Sequence, residues 1–396
     1  MADNKDKKVL NVPALRFPEF TGEWKEERLD EIAELSKGVG ISKEQLSEDG
    51  EPCILYGELY TKYKSEIIHK VISKTNIESS NLKHSKRNDV IIPCSGETAI
   101  DIAVARCVPF DNILLGGDLN IIRLHKDDGA FMAYQLNGKR KIDIAKLAQG
   151  VSVVHLYGDN IKAIKTYNPC LQEQQKIVKL LSMLDERMEL QNKIIEKLET
   201  LIKGIVELAF SHAATSNTLG CHITQISQRN KNGKDLPVLS VSNKYGFVEQ
   251  SEQFEDRIIA SDDTSNYKIV SINDFAFNPA RINVGSIARL KDKECGIVSP
   301  MYICFRTSKD ILPEYLELFF KTVTFSSEVG KRLEGSVRLC LSFESLCEIV
   351  IPVISIREQQ SLVKMATAFY SKLDVEKGIL RSYQSQKQYL LSQMFI

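Results

Sequence analysis

The chain has 396 residues, enough for two or three domains, and its 52 Lys and Arg are matched by 52 Asp and Glu, so the net charge is zero. That balance counts against indiscriminate binding of polyanions, although not against local basic patches. Nine scattered cysteines with no Cys-x-x-Cys pair, six histidines in no ligand spacing and no apolar run of membrane-span length point to a reduced, cytoplasmic protein without a disulfide framework or structural zinc.

In chain order, residues 1–12 read as a disordered leader with no export signal, and a first mixed α and β domain is expected over 13–168. It opens with Phe17-Pro18-Glu19-Phe20 and Trp24, and Leu29, Ile32 and Ala33 on one face predict a short helix over 28–35. Strand-like runs follow at 52–59, 90–93, 102–108 and 119–124, punctuated by Gly38, Gly57, Gly96 and Gly116-Gly117. Residues 131–136 look helical, and 161–167 look extended.

Over 169–211 the pattern changes to one long helix. Ile177, Leu181, Leu184, Met188, Ile195, Leu198, Ile202, Ile205 and Ala209 form a heptad seam with one polar interruption, Gln191. A small polar linker is expected at 211–217, and a second domain over 212–353. Its opening segment is placed at 221–227, its strands at 237–241, 274–278, 285–290 and 297–305, and a helix at 313–321. A second long helix over 354–396 carries Leu362, Ala366, Phe369, Leu373, Leu380, Tyr383, Leu390 and Met394.

The two halves are a tandem duplication. Glu173-Gln174-Gln175 recurs as Glu358-Gln359-Gln360, and the same offset of 185 relates Asp89 to Asp274, Gly150 to Gly335 and Leu156 to Leu341. Glu376 falls where the first copy has Gln191, and Lys387 where it has Ile202. Domain edges and helices correspond while the interiors hardly do. Because the first helix must deliver the chain to the second domain and the second helix can only return, the pair is expected to be antiparallel. It then forms a rod of roughly 60 Å with a pseudo-two-fold axis at its middle. Gln191 and Glu376 would face each other there as a polar layer that sets register.

Catalytic machinery is not legible: there is no phosphate loop and no dinucleotide fingerprint. Asn278-Pro279-Ala280-Arg281 lacks the second proline and the aromatic of an adenine methyltransferase element. What remains suits nucleic acid. In the first domain the candidates are Tyr56, Glu58, Tyr60, Thr61, Lys62 and Tyr63 around Gly57, then Lys86 and Arg87, Lys139 and Arg140, and Gln149 and Ser152. In the second they are Arg229, Asn230, Lys231, Arg281, Asn283, Ser286, Arg332, Ser336 and Arg338. Cations position phosphates, and short donors and acceptors read base edges.

The Glu-Gln-Gln helix starts behind Pro169 and Pro352, the Met394-Phe395 end, Phe17-Pro18-Glu19-Phe20, Tyr56-Gly57-Glu58-Leu59-Tyr60 and Gly296-Ile297-Val298-Ser299-Pro300 together resemble the specificity (S) subunit of type I restriction-modification systems. The resemblance covers nearly the whole chain. It departs in having Asn168-Pro169-Cys170 instead of Pro-x-Pro before the first helix, and Ala209-Phe210 instead of Met-Phe at its end. It implies an α+β protein with two mixed α/β target recognition domains in tandem duplication, separated by an antiparallel pair of long coiled-coil helices. Each domain would read one half of a bipartite target in double-stranded DNA. The helices would dock two modification (methyltransferase) subunits, joined by restriction (endonuclease and translocase) subunits. The chain itself would bind no cofactor and no metal and be non-catalytic; S-adenosylmethionine, ATP and Mg would belong to the partners. A specificity subunit of a bifunctional methyltransferase-nuclease and a coiled-coil scaffold for proteins alone remain the alternatives.

Overall fold

The computed structural model describes residues 10–211, 215–250, 264–335 and 338–396. Most of the leader and part of the linker at 211–217 therefore lie outside the described residues. Two compact units divide the chain, Met1–Asn192 with Gly378–Ile396, and Lys193–Lys377, so each contains half of each long helix. Among the described residues no helix is long and apolar enough to cross a membrane.

The first domain is built on two sheets. Ala33–Lys37, Leu119–Leu124, Asp89–Pro93 and Arg106–Val108 lie side by side in that order, all antiparallel. Five short strands make the other sheet, with Glu51–Ile54 and Leu114–Leu115 parallel at its centre and Lys83–His84 at one edge. The second domain repeats both. Ile223–Ile226, Ile303–Thr307, Phe275–Phe277 and Ile287–Arg289 form its antiparallel sheet. Val238–Ser242 and Cys295–Val298 are the parallel centre of the other, with Lys268–Ser271 at the edge. Thus the duplication read from the helices extends to the order and direction of the domain strands.

Three recurring side chains explain why the domain edges match. Asp89 accepts from the Lys86 amide and takes two bonds from Arg123, at 2.8 and 2.7 Å; Asp274 accepts from the Ser271 amide and binds Arg306 at 2.6 and 2.8 Å. Each aspartate closes the turn before its strand and ties it to the neighbouring strand by a charge-assisted fork. The middle residue of each Glu-Gln-Gln does the same for a helix. Gln174 accepts from the Asp128 amide at 2.8 Å and donates to Asp127 and the Pro169 carbonyl, whereas Gln359 accepts from the Leu312 amide at 2.8 Å and donates to the carbonyls of Asp310 and Ile354. Finally, each long helix ends in a phenylalanine plugged into a domain. Phe395 packs on Trp24 and Phe131 at 6.3 and 5.3 Å, and Phe210 on Tyr315 and Phe319 at 4.8 and 5.3 Å.

The long helices run Leu171–Ser211 and Ile356–Gln393. In the first unit Ile177 and Leu181 share a core with Leu390, Met394 and Phe395, and Asp185 meets Lys387, so numbers rise along one helix as they fall along the other. The pair is antiparallel, and in the second unit Glu199 bonds Lys377 at 2.6 Å. Gln191 and Glu376 are each buried, and Glu376 forms an ion pair with Lys372 at 2.5 Å.

Several sequence expectations need correction. The opening helix is one turn, Leu29–Ile32, because Ala33–Lys37 is drawn into the sheet by Leu119–Leu124. The run at 52–59 is strand only to Ile54; Glu58 then accepts from the Leu55 amide at 3.0 Å and starts a helical turn, Glu58–Thr61. The run at 102–108 begins as helix Ala99–Ile102, capped by Thr98, and becomes strand at Arg106. Residues 161–167 hold the end of helix Gly158–Lys162 before strand Lys165–Asn168. The run at 297–305 is broken at Ser299-Pro300 into two strands that join different sheets.

Candidate nucleic-acid interface

In the first domain the candidate residues gather beyond the end of strand Asp89–Pro93. There Ser95–Gly96 pairs with Val154–His155, which closes a small hairpin from Gln149 to His155 through backbone bonds of 2.9 and 2.7 Å. The turn needs Gly150: its φ is +125°, and a Cβ there would lie 2.1 Å from the Val153 carbonyl oxygen. This pushes the tip outward, leaving Val151 98% exposed beside Ser152. A Cβ on Gly96 would lie 2.4 Å from Ile102, so the backbone passes closely beneath Ile102, with the Tyr60 ring alongside at 4.0 Å. Burial raises the Tyr60 hydroxyl above its ordinary pKa, with Tyr56, Glu97 and Asp101 adding to the effect. At the rim His155 stacks on Tyr157 at 6.3 Å, and Lys37 lies 5.9 Å from the same ring. The face therefore offers aromatic surface, a cation and short polar groups, the combination that binds bases and phosphates.

The second domain builds the same place from other residues. Strand Phe275–Phe277 runs into Asn278, whose side chain accepts from the Ala280 amide at 3.1 Å and so shapes a turn. Arg281 and Asn283 follow, exposed on the loop that ends at Gly285 with φ +88°. Beside it is the turn carrying Lys244, 4.9 Å from the Tyr245 ring, and Tyr245 is 70% exposed. Glu334 and Cys340, the counterparts of Gln149 and His155, pair through backbone bonds of 3.0 and 2.8 Å, with Gly335 at φ +123°, and the Leu341 amide donates to the Pro279 carbonyl. A groove of about 430 Å³ runs past Ser242, Lys244, Tyr245, Phe247, Arg289 and Lys321.

The sequence candidates divide accordingly. Tyr56, Tyr60, Gln149 and Ser152 gather at the first domain's loop end, and Arg281, Asn283 and Arg338 at the second's. Ser336 lies outside the described residues. Others are committed to the fold. Glu58 is buried and takes Lys62 at 2.6 Å; Thr61 donates to the Gly57 carbonyl at 2.7 Å. Tyr63 is buried, its hydroxyl accepting from the Ile72 amide and pushed up to about 12 by burial. Asn230 is buried and closes the loop to Lys234 with two 3.0 Å bonds, and Ser286 donates to the Val241 carbonyl at 3.1 Å. Arg140 donates to the Ile396 carbonyl at 2.6 Å, near Lys139, and Arg332 is held by Glu328 at 2.5 Å. Arg229 donates to Asn266 at 3.1 Å, next to exposed Lys231. Lys86 and Arg87 are exposed at the start of strand Asp89–Pro93, roughly 17 Å from its loop end at about 3.3 Å per residue.

Sequence reasoning missed Lys37, Tyr157, Lys244 and Tyr245. For Tyr245 a signal existed, because it lies 185 residues after Tyr60, the offset of the duplication.

Residues 21–200 match the family model of the type I restriction modification DNA specificity domain. That segment, under half of the chain, is similar to a specificity domain of that family. Within the chain, 121 residues are 32% identical to a Haemophilus influenzae protein assigned as a type I restriction enzyme specificity subunit, covering 30% of this chain and 29% of that one. The match thus spans under a third of the length of that curated relative. The whole fold is similar to the S subunit of the type I restriction-modification system of M. genitalium, with TM-score 0.61 and 18% identity over 97% of this chain and 99% of that one. A chain from a structure of type I R-M complex assembly and conformational transition aligns with TM-score 0.57 and 15% identity, over 94% and 97% of the two chains. At these identities the likeness is one of fold, and it covers both halves of the chain.

Proposed function

We propose that the chain is the DNA-sequence specificity subunit of a type I restriction-modification complex, with one bipartite double-stranded DNA target read by its two domains. The observation that carries this is the loop end built twice on matching strands from different side chains. Gly96, Tyr60, Gln149 and His155 in one domain are answered by Arg281, Tyr245 and Asn283 in the other. A common frame with divergent tips is what two different half-sites require, since base identity is read by the few side chains that reach the groove.

In this reading the chain is not itself an enzyme. Two methyltransferase subunits dock on the long helices and use S-adenosylmethionine, and restriction subunits supply ATP- and Mg-dependent translocation and cleavage. Likeness to a chain from a study of type I complex assembly supports such docking. The zero net charge fits a reader whose large partners make many of the phosphate contacts.

The test is adenine methylation mapping in cells carrying this chain with its cognate modification subunit, against cells with the modification subunit alone. A split motif with a fixed gap, methylated only when the chain is present, is expected. Assembly of the complex without chain-dependent methylation would overturn the reading. Inserting one heptad into the helix Leu171–Ser211 is expected to change the gap or abolish assembly while leaving the bases read unchanged.

A further inference from the structure

We infer that Lys387, on the second long helix, is a positioning residue for the DNA-reading segment at 56–63 of the first domain, an inference that rests on the function proposed above. A chain of buried groups joins them. Arg106, 7% exposed, donates to the carbonyls of Leu59 and Tyr63 at 3.2 and 2.9 Å and so clamps the helical turn that presents Tyr60. The chain then passes along strand Arg106–Val108, the Cys107 amide donating to Glu66 at 2.7 Å and the Ile68 amide to Cys107 at 3.0 Å. The side chains of this stretch reach the long helices. Ser65 donates to Asp185 at 3.2 Å, and Lys387 donates to Glu66 at 2.5 Å and to Asp185 at 2.6 Å. Tyr134 closes the group by donating to Asp185 at 2.6 Å.

The charges balance as a set: Arg106 and Lys387 face Glu66 and Asp185, and none of the four is more than 9% exposed. Removing Lys387 leaves two buried carboxylates for one guanidinium, and the surplus charge must reach water. The stretch at 63–68 can move most easily, because Asp185 is held within a long helix while 63–68 belongs to no regular element apart from an isolated bridge at Ile67. Its movement carries the Tyr63 end of the clamped turn with it.

Helix packing alone does not require this arrangement. At the equivalent positions of the second unit stand Ile202, Phe319 and Tyr370, with Ile202 and Phe319 buried. Tyr370 there meets Lys321 at 4.4 Å from its ring. So a buried isoleucine serves where Lys387 stands, and buried ion pairs are in general no more stabilising than apolar packing of similar volume. What the charged joint adds is a directed connection from the C-terminal helix to the loop that bears Tyr60.

The test compares the full wild-type chain with Lys387→Ile, which copies the other unit, and Lys387→Arg, which keeps the charge. Hydrogen exchange of the free chain reads the tether without DNA. Lys387→Ile is expected to speed exchange of the Lys62, Tyr63 and Ile68 amides about tenfold while the Ile91 and Ile121 amides stay protected; Lys387→Arg is expected to resemble wild type. Unchanged exchange at 62–68, or uniform loss across the domain, overturns the inference. In the assembled complex, Lys387→Ile is expected to lose about tenfold in discrimination at the half-site read by the first domain and nothing at the other. Equal loss at both half-sites also overturns it. Absence of sequence-dependent binding by the wild-type complex would instead overturn the DNA-reading proposal, leaving the exchange result to judge the tether.

Discussion

In the first unit the C-terminal helix meets its domain through Lys387, Asp185, Glu66 and Tyr134; in the second, Ile202 and Phe319 bury the same positions with apolar atoms. Around the two joints the plugged phenylalanines Phe395 and Phe210 and the clamping glutamines Gln174 and Gln359 are shared. The contrast separates two tasks. Apolar plugs and amide clamps dock a helix, whereas the joint centred on Lys387, whose counterpart is Ile202, reaches a loop outside the helix interface.

The shared parts should respond alike and the joints unlike. Phe395→Ala and Phe210→Ala are each expected to cost about 3–5 kcal/mol, the first in the unfolding of the first domain and the second in that of the second, by denaturant titration. A large effect at one plug and none at the other would break the equivalence. Lys387→Ile is expected to cost about 3 kcal/mol because it strands a buried carboxylate, and Lys387→Ile with Asp185→Asn should cost less because one carboxylate then faces one guanidinium. If the double variant is the less stable, the charge accounting is wrong. Gln174→Ala and Gln359→Ala should each cost about 1–3 kcal/mol, since each strands a backbone amide, of Asp128 or of Leu312.

The smallest expected effect is a pH dependence confined to the second domain. Burial pushes Glu317 up, but the hydrogen bond from Lys291 and the charges of Lys321, Lys291 and Arg289 outweigh it and hold the carboxyl below its ordinary range. Folding therefore favours the ionised form. Its contribution is complete above the unfolded value of about 4.3 and is lost as pH falls through the lower folded value. Acid titration followed by second-domain signals should show this loss, and Glu317→Gln should remove it.

How far the sequence could be read depended on how local the determinants were. The long helices were legible because a heptad seam is a repeated one-dimensional signal, and the duplication because Glu-Gln-Gln, Asp89 and Gly150 sit where local geometry demands them. Short elements were less legible. The segments 52–59 and 297–305 look like uninterrupted strands until Glu58 caps a turn and Ser299-Pro300 breaks the run. At the interface, residue type located the loop ends but could not separate exposed Arg281 from buried Ser286 or Asn230, because burial is set by strands distant in sequence. In the sequence Lys387 only stands where the first copy has Ile202; its meeting with Glu66, 321 residues away, makes it a joint.

The most direct test of the account exchanges the first domain, with its native junction to the long helices, for that of another specificity subunit and repeats the methylation map. Two domains that each read one half-site predict a motif changed in one half and unchanged in the other, with the same gap. A motif changed in both halves would contradict that independence.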